Sequence, residues 1–201
     1  MSTVNLAVVY YSATGTVDAM ARYAAEAAEK AGAEVRLRQV ARQVTGGERA
    51  TSEAQAAHAE NALDTPAATA DDVVWADAVL FGSPTRYGNI AGQLKTFLDS
   101  LGPQWGQGLL ADKVYAGFTA SQTAHGGQET TLLALYNTIH HFGGIIVAPG
   151  YTDPLKFVDG NPYGVSHVTG ANNDIPLGDA DIDALRHLAS RVVTVAEKLK
   201  N

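Results

Sequence analysis

The sequence contains no cysteine, and it has only two methionines and two tryptophans. The absence of cysteine excludes disulfides, cysteine-ligated clusters, thiolate nucleophiles and zinc sites of the cysteine type. Lysine and arginine never form a run, and the formal net charge is −7. Because proteins neutralise nucleic-acid phosphates with a basic surface, this acidic balance predicts no nucleic-acid partner.

Long apolar runs are also missing. No stretch reaches the roughly 20 apolar residues that a membrane-spanning helix needs, and we expect no membrane insertion. The opening residues, MSTVNLAVVYYS, enter an apolar run at once, without the basic region and cleavage site of a signal peptide. A chain without cysteine also suits a reducing compartment. We therefore expect a cytoplasmic protein.

The chain does contain a regular alternation of short apolar runs and amphipathic segments. Its 201 residues, 46% apolar and 17% charged, are typical of one globular domain, which we expect to span residues 1–201. The apolar runs predict strands at Asn5–Tyr11, Glu34–Val40, Ala78–Gly82, Val114–Thr119 and Gly144–Pro149. Helical periodicity predicts helices at Val17–Ala31, Gly92–Leu101, Gln128–Phe142 and Asp179–Leu199.

Strands that are apolar throughout and alternate with helices indicate a parallel sheet covered on both faces. The predicted fold is α/β, a flavodoxin-like doubly wound five-stranded parallel sheet of order 2-1-3-4-5. We expect a loop over residues 41–72, with one short helix around Ser52–Leu63. Tyr151–Leu177 is rich in Gly, Pro and Asn and shows little periodicity. A loop of that length predicts a functional role or a subunit contact.

Ligands of open parallel sheets bind beyond the carboxyl ends of the strands, at the switch point between strands one and three. The loop SATGT after strand one offers hydroxyls from Ser12, Thr14 and Thr16, and Gly15 allows close approach of the backbone. It leads into a helix N-terminus, which suits an anion. Without the lysine of a P-loop, it fits a single phosphate group better than a triphosphate. An ordinary helix N-cap with a turn glycine explains this loop alone equally well.

Two further loops, SPTRYGN and ASQTAHGG, follow strands three and four. Tyr87 could lie flat against an aromatic ring, and the third loop could enclose the other side of a planar heterocycle. An exposed aromatic in a turn and a flexible glycine loop are the plain alternatives. Trp105 is either a half-buried anchor or an aromatic wall for a ligand. His140 and His141 are adjacent, so they do not make a metal pair, and we predict no metal site.

The motifs YYSATGT, FGSPTRYGN, AGQLKTFLD, HGGQETTLLALYNTIHHFGG and PGYTDP…GNPYG, together with Trp105, resemble the WrbA family of flavodoxin-like NAD(P)H:quinone oxidoreductases. The resemblance runs in order over nearly the whole chain. It implies FMN as cofactor, NADH or NADPH and a quinone as substrates, and a homo-oligomer, namely a tetramer.

The resemblance also implies roles for particular residues. The phosphate loop would be Ser12, Ala13, Thr14, Gly15, Thr16 and Val17. The contacts to the isoalloxazine would come from Pro84, Thr85, Arg86, Tyr87 and Gly88. The pyrimidine side would be bordered by Ser121, Gln122, Thr123, Ala124, His125 and Gly126. His140 would be catalytic at the flavin, and Trp105 would contact the substrate.

The chain departs from the family at two positions of the first loop. Many members place an aromatic where Thr14 stands and a histidine where Thr16 stands. The expected reaction is a two-electron, ping-pong reduction of quinones, with His140 or His125 as a proton donor. The alternative is a flavodoxin-type one-electron carrier without a substrate pocket of its own. A phosphoacceptor module is disfavoured because strands one and three end without a carboxylate.

Overall fold

The computed structural model of the chain describes residues 3–41 and 64–200. The short helix predicted around Ser52–Leu63 lies outside these residues. Within them, the strands are β1 (Asn5–Tyr10), β2 (Glu34–Gln39), β3 (Ala78–Arg86), β4 (Asn89–Ile90), β5 (Val114–Ser121), β6 (Ile145–Ile146) and β7 (Val165–Val168). The helices are α1 (Thr16–Lys30), α2 (Ala70–Trp75), α3 (Gly92–Ser100), α4 (Gly102–Gly106), α5 (Gln128–Phe142), α6 (Lys156–Asp159) and α7 (Asp179–Lys200).

The strands form one sheet of order β2-β1-β3-β5-β6, and β7 also pairs with β5. These pairings are parallel, and β4 alone joins antiparallel, as a hairpin with β3. The three central strands are almost fully buried, which explains why they read as continuous apolar runs. Strand β1 pairs with β2 along one edge and with β3 along the other, so the strand order reverses direction at β1. This is the predicted switch point.

Helices cover both faces of the sheet. On one face, α1 and α7 pack on Val8, Leu80 and Phe118. On the other, α3 and α5 pack on Val9, Phe81 and other side chains that point the opposite way. The alternation of the two sets along each strand is the period of two that a β-strand imposes. The predicted flavodoxin-like doubly wound fold is therefore confirmed.

The fifth strand position differs from the prediction. In place of one strand over Gly144–Pro149, the two-residue β6 pairs with the start of β5, and β7 pairs with its end. Pro149 cannot donate a ladder hydrogen bond, and Gly150 turns the chain with φ 54°, so the strand cannot continue. The chain leaves the sheet, forms α6 and returns. The stretch Tyr151–Leu177, predicted to be irregular, thus contains a helix and a strand.

Candidate functional site

A cavity of about 540 Å³ opens at the carboxyl edge of the sheet, at the switch point beside β1 and β3. This volume is in the range of small-molecule and cofactor sites. Its walls come from the three predicted loops and from a fourth segment that follows β7. The lining residues are Ser12, Ala13, Thr14, Thr16, Val17, Pro84, Thr85, Arg86, Tyr87, Ala120, Ser121, Gln122, Thr123, Gly126, Thr169 and Asn173.

The first loop joins β1 to α1 and is shaped by Gly15. This residue has φ 98°, a left-handed conformation that favours glycine, and it caps α1 without a side-chain hydrogen bond. The buried Ser12 hydroxyl accepts a hydrogen bond from the Gly15 amide at 3.1 Å. The hydroxyls of Thr14 and Thr16 line the cavity and bond to no other described residue. The loop therefore presents free hydroxyls and the first amides of a 15-residue helix to the cavity.

A carboxylate close to this loop is turned away from the cavity and compensated. Asp18 lies in the first turn of α1, where it accepts hydrogen bonds from the Tyr10 hydroxyl and from Arg22 Nε, the latter at 2.9 Å. Burial, and next the bond to Asp18, raise the pKa of Tyr10, so its hydroxyl remains a donor. Arg22 in turn donates to Thr65 at 3.1 Å. The carboxylate of Asp18 would repel an anion bound at this helix end. Its bonds to Tyr10 and Arg22 offset that negative charge.

The second loop is a β-hairpin. Strand β3 was predicted to end at Gly82, but it runs on to Arg86, which pairs with Asn89 of β4. The turn consists of Tyr87 and Gly88, both with positive φ, 53° and 77°. A two-residue turn of this kind matches the twist of the strands, but it strains a bulky residue such as tyrosine. The Tyr87 side chain is fully exposed at the cavity mouth.

The third loop and the hairpin are locked together. The Thr85 hydroxyl donates to the Gly126 carbonyl at 3.2 Å and lies 2.8 Å from the Thr131 hydroxyl on α5. A Cβ at Gly127 would lie 2.7 Å from the Cα of Gly88, which is closer than real contacts allow. Glycine is therefore required where the two loops meet.

A fourth wall was missed by the sequence reasoning. Thr169 and Asn173 line the cavity from the segment after β7, beside Ala120, the first residue of the predicted third loop. The Thr169 amide donates to the Ser121 carbonyl at 2.8 Å, so this wall is attached to the end of β5. The sequence feature that could have revealed this wall is the strand β7 that precedes it. Had Val165–Val168 been recognised as parallel to β5, the polar residues after it would have been placed at the ligand edge.

Four predicted loop residues do not line the cavity. Gly15 and Gly88 shape their turns, while Ala124 and His125 sit exposed at the tip of the third loop. The other predicted cofactor residues of the three loops line it together.

Two predicted site residues lie elsewhere in the chain. His140 is exposed in the last turn of α5, whereas the cavity adjoins the first turn. The helix has 15 residues, so its ends are roughly 20 Å apart. Trp105 lies at the same far end, where its Nε1 donates to the carbonyl of His141 at 2.7 Å. A single chain therefore brings His140 and Trp105 near each other but brings neither to its own cavity.

Other kinds of site receive no support from residues 3–41 and 64–200. No group of three or more His, Cys, Asp or Glu is arranged to hold a metal ion there. None of the helices described there is long and apolar enough to cross a membrane. Arg86 is the one Lys or Arg among the described residues that line the cavity.

Comparison with known proteins gives this geometry a context. The chain is 45% identical over 197 residues to a protein of Deinococcus radiodurans named NAD(P)H dehydrogenase (quinone), covering 98% of this chain and 97% of that one. It is 39% identical over 199 residues to a protein of the same name from Sinorhizobium fredii, covering 96% of each.

The fold is similar to that of a flavodoxin, WrbA-like protein from Agrobacterium tumefaciens, with a TM-score of 0.68, 27% identity, and coverage of 98% of this chain and 99% of that one. An archaeal flavodoxin shares the fold alone, with a TM-score of 0.59, 16% identity, and coverage of 98% and 99%. Residues 6–152 match the model of the family described as NADPH-dependent FMN reductase. The chain belongs to the NADPH-dependent FMN reductase family.

Proposed function

We propose that the protein is an FMN-dependent NAD(P)H:quinone oxidoreductase of the WrbA type. One observation carries this proposal: a loop of neutral phosphate donors, an exposed tyrosine hairpin and a glycine-rich loop line one cavity. The names of the two relatives support the same activity, and the similar structure of a WrbA-like protein supports the WrbA type.

The cavity fits FMN in chemistry as well as in size. The hydroxyls of Thr14 and Thr16, which bond to no residue of 3–41 or 64–200, lie near the N-terminus of α1, and this suits the phosphate of the cofactor. The hairpin and the Ser121–Gly126 loop border the remainder, where a flat ring system can lie against Tyr87. We take the cofactor to be FMN on this basis and from the family of the chain.

When bound, FMN would supply the redox chemistry, by accepting a hydride from NADH or NADPH and passing two electrons to a quinone. The hairpin with Tyr87 and the Ser121–Gly126 loop are the residues that would hold the ring. Arg86, which also lines the cavity, offers a positive charge to an anionic substrate. We take nicotinamide and quinone to bind in turn at the same place in this cavity. This predicts ping-pong kinetics, with parallel double-reciprocal lines; converging lines would contradict it.

The position of Trp105 and His140 suggests how the site is completed. Both lie at the far end of α5, and Trp105 is 54% exposed. We propose a homotetramer in which these residues face the cavity of a neighbouring copy, where Trp105 contacts the substrate and His140 contacts the flavin and supplies a proton. The exposed Tyr151, Phe157 and Val158 near α6 offer apolar surface for such contacts.

A complementation experiment tests this arrangement. One chain carries Trp105→Ala with His140→Ala, and the other carries Gly127→Val, which forces apart the hairpin and the third loop that line its own cavity. Each is expected to be nearly inactive alone. Refolded together, they should regain activity, because hybrid contacts unite an intact cavity with an intact Trp105. Light scattering should show a tetramer. A stable monomer with full activity would contradict the arrangement.

The first test of the proposal is the visible spectrum of the purified protein after incubation with FMN. Flavin bands at near-equimolar ratio are expected, and a protein that takes up no FMN would overturn the proposal. Turnover of NADH or NADPH with a soluble quinone separates the enzyme from the alternative, an acidic one-electron carrier of flavodoxin type. A carrier would bind FMN without steady-state turnover. A location in the cytoplasm remains part of the proposal and is tested by cell fractionation.

A further inference from the structure

His167 is a buried histidine of β7 whose ring points away from the cavity walls toward α7. Its side chain is 4% exposed. Nδ1 lies 2.9 Å from Asp181 Oδ2, and Nε2 lies 3.0 Å from the carbonyl oxygen of Ile175. An ionised carboxylate and a carbonyl can only accept hydrogen bonds, so both ring nitrogens have to donate. The geometry therefore selects the doubly protonated, positively charged imidazole.

Asp181 joins the His167 ring to the start of α7. Its Oδ2 also accepts the amide of Gly178 at 2.8 Å. Burial alone would raise the pKa of Asp181, but the bonds from His167 and Gly178 hold it below its usual value. Burial alone would likewise lower the pKa of His167, but the bonds to Asp181 and Ile175 hold it above its usual value. The two groups form an ion pair whenever the His167 ring is protonated.

The segment tied down by this pair is the fourth wall of the cavity. We name residues 169–178, between β7 and α7, the clamp loop. Thr169 and Asn173 of this loop line the cavity. The Ile175 amide donates back to the Thr169 carbonyl at 3.0 Å, and Gln122 of the third loop donates to Ala171 at 3.1 Å. His167 fixes the loop at Ile175, and its partly buried partner Asp181 fixes it at Gly178.

We propose that His167 is a positioning residue which, as an imidazolium between Asp181 and Ile175, holds the clamp loop against the cavity, so that FMN is retained more tightly in acidic and neutral solution than in alkaline solution. This inference rests on the proposed function, in which FMN is the ligand of the cavity. His167 does not touch the cavity itself and acts through Thr169 and Asn173.

The direction of the pH dependence follows from the charges around the ring. Asp181 on α7 is the charged group that bonds to His167. Beyond Asp181 lies the buried pair of Lys156 and Asp159 on α6, whose charges cancel, and Asp174 belongs to the clamp loop itself. The folded protein raises the pKa of His167, so the clamp is complete below about pH 6.5. It is lost as the pH rises through the raised pKa, because a neutral imidazole has one N–H for two acceptors.

Fluorescence titration measures the FMN dissociation constant between pH 5.5 and 9.5. The chains compared are the wild type, His167→Gln, Asp181→Asn and the control Asp183→Asn. Asp183 lies on the same helix but is exposed and pairs only with Arg186, at 2.9 Å. The phosphate of FMN itself ionises near pH 6, which affects all four chains alike. Only ratios between chains are therefore interpreted.

Relative to His167→Gln, the wild type and Asp183→Asn should bind FMN about tenfold more tightly at pH 6, the usual scale of one hydrogen bond to a charged group. The advantage should fall as the pH rises through the raised pKa of His167. Asp181→Asn keeps an acceptor but removes the anion, so the loss should begin at lower pH. A wild-type advantage that does not change with pH would overturn the proposal.

Two measurements on FMN-free protein test, without relying on FMN binding, whether the protonated His167 ring holds the clamp loop. NMR titration of the His167 ring, assigned by its absence in His167→Gln, should give a pKa above that of an exposed histidine. Hydrogen exchange at residues 169–175 in the wild type and in Asp183→Asn, relative to His167→Gln, should speed up as the ring loses its proton. A ring that titrates at or below the usual value, or exchange that ignores the ring, would refute the clamp. Failure of every chain to bind FMN would instead refute the proposed function, while these two readouts would still decide the clamp.

Discussion

The two ends of α5 resemble each other in sequence but have different tasks. Each is flanked by a glycine in the left-handed region, Gly127 with φ 85° and Gly143 with φ 72°. At the first end, a Cβ would lie 2.7 Å from backbone of the hairpin. At the second, it would make an ordinary contact with Ala111 at 3.5 Å. The glycine at the second end only ends a helix, whereas Gly127 also lets two loops meet.

The ends also differ in how complete they are. Around Gly127, side chains such as Thr85 and Thr131 bond to each other and to backbone within the one chain. At the other end, His140 and Trp105 are exposed, and the Trp105 ring donates a hydrogen bond from its nitrogen to the carbonyl of His141. The first end is a finished wall of a cavity. The second is an exposed surface, which we propose to contact a neighbouring copy of the chain.

The largest expected effect comes from placing a methyl group at each glycine. Gly143→Ala should lower the free energy of unfolding by about 1 kcal/mol, the usual penalty for a left-handed non-glycine residue. Gly127→Ala should lower it by about 3 kcal/mol, because the hairpin backbone must also move. Urea unfolding of the FMN-free chains measures both. FMN affinity should fall at least tenfold in Gly127→Ala alone, and equal losses in both variants would remove the contrast between the ends.

A second prediction concerns the phosphate loop, which shares the cavity with the first end of α5. Replacing Thr14 and Thr16 together with alanine should remove two hydrogen bonds to a charged group, about 3 kcal/mol in total. FMN affinity should then fall about a hundredfold. Riboflavin has no phosphate and should bind equally well to both chains. The control is Thr194→Ala, since that hydroxyl bonds only within its own helix. Equal weakening of FMN and riboflavin would show that the loop does not hold phosphate.

The central sheet was predictable because its strands are buried on both sides and therefore carry a continuous apolar signal. The extension of β3 was not, since Pro84 suggested a loop. The structure accommodates it because pairing with β1 ends at Gly82, while β5 continues beside Pro84. A proline there has no partner on the β1 side to lose. Strand β6 has only two residues, too few for any periodicity to show.

The candidate site was likewise predictable where it follows long buried strands and not where it follows a short one. Three of its walls were found from the rule that ligands bind beyond strand ends, which needs only the strands to be right. Thr169 and Asn173 were missed because the rule needs β7, a four-residue strand containing Ser166 and His167. Trp105 was assigned by resemblance. The spacing of residues along a chain cannot show that a helix separates Trp105 from the cavity of its own subunit.

The smallest predicted effect tests the exposed surface at the C-terminal end of α5, where Trp105 lies. Trp105→Ala should leave FMN affinity unchanged, because the residue lies at the end of α5 away from the cavity of its own chain. It should lower kcat/KM for quinone about five- to tenfold, since it removes an aromatic wall worth roughly 1 kcal/mol beyond its buried area. Trp105→Phe keeps a ring but loses the bond to the His141 carbonyl. If stacking is the role, this variant should recover most of the activity.

If positioning of the ring by that bond is the role, Trp105→Phe should behave like Trp105→Ala. The comparison is made by steady-state kinetics at saturating NADH, with FMN occupancy checked by absorbance in each sample. A drop in FMN occupancy in either variant would mean that the far end of α5 supports the cavity of its own chain. In that case the two ends would be one structural unit, and the division of tasks between them would fail.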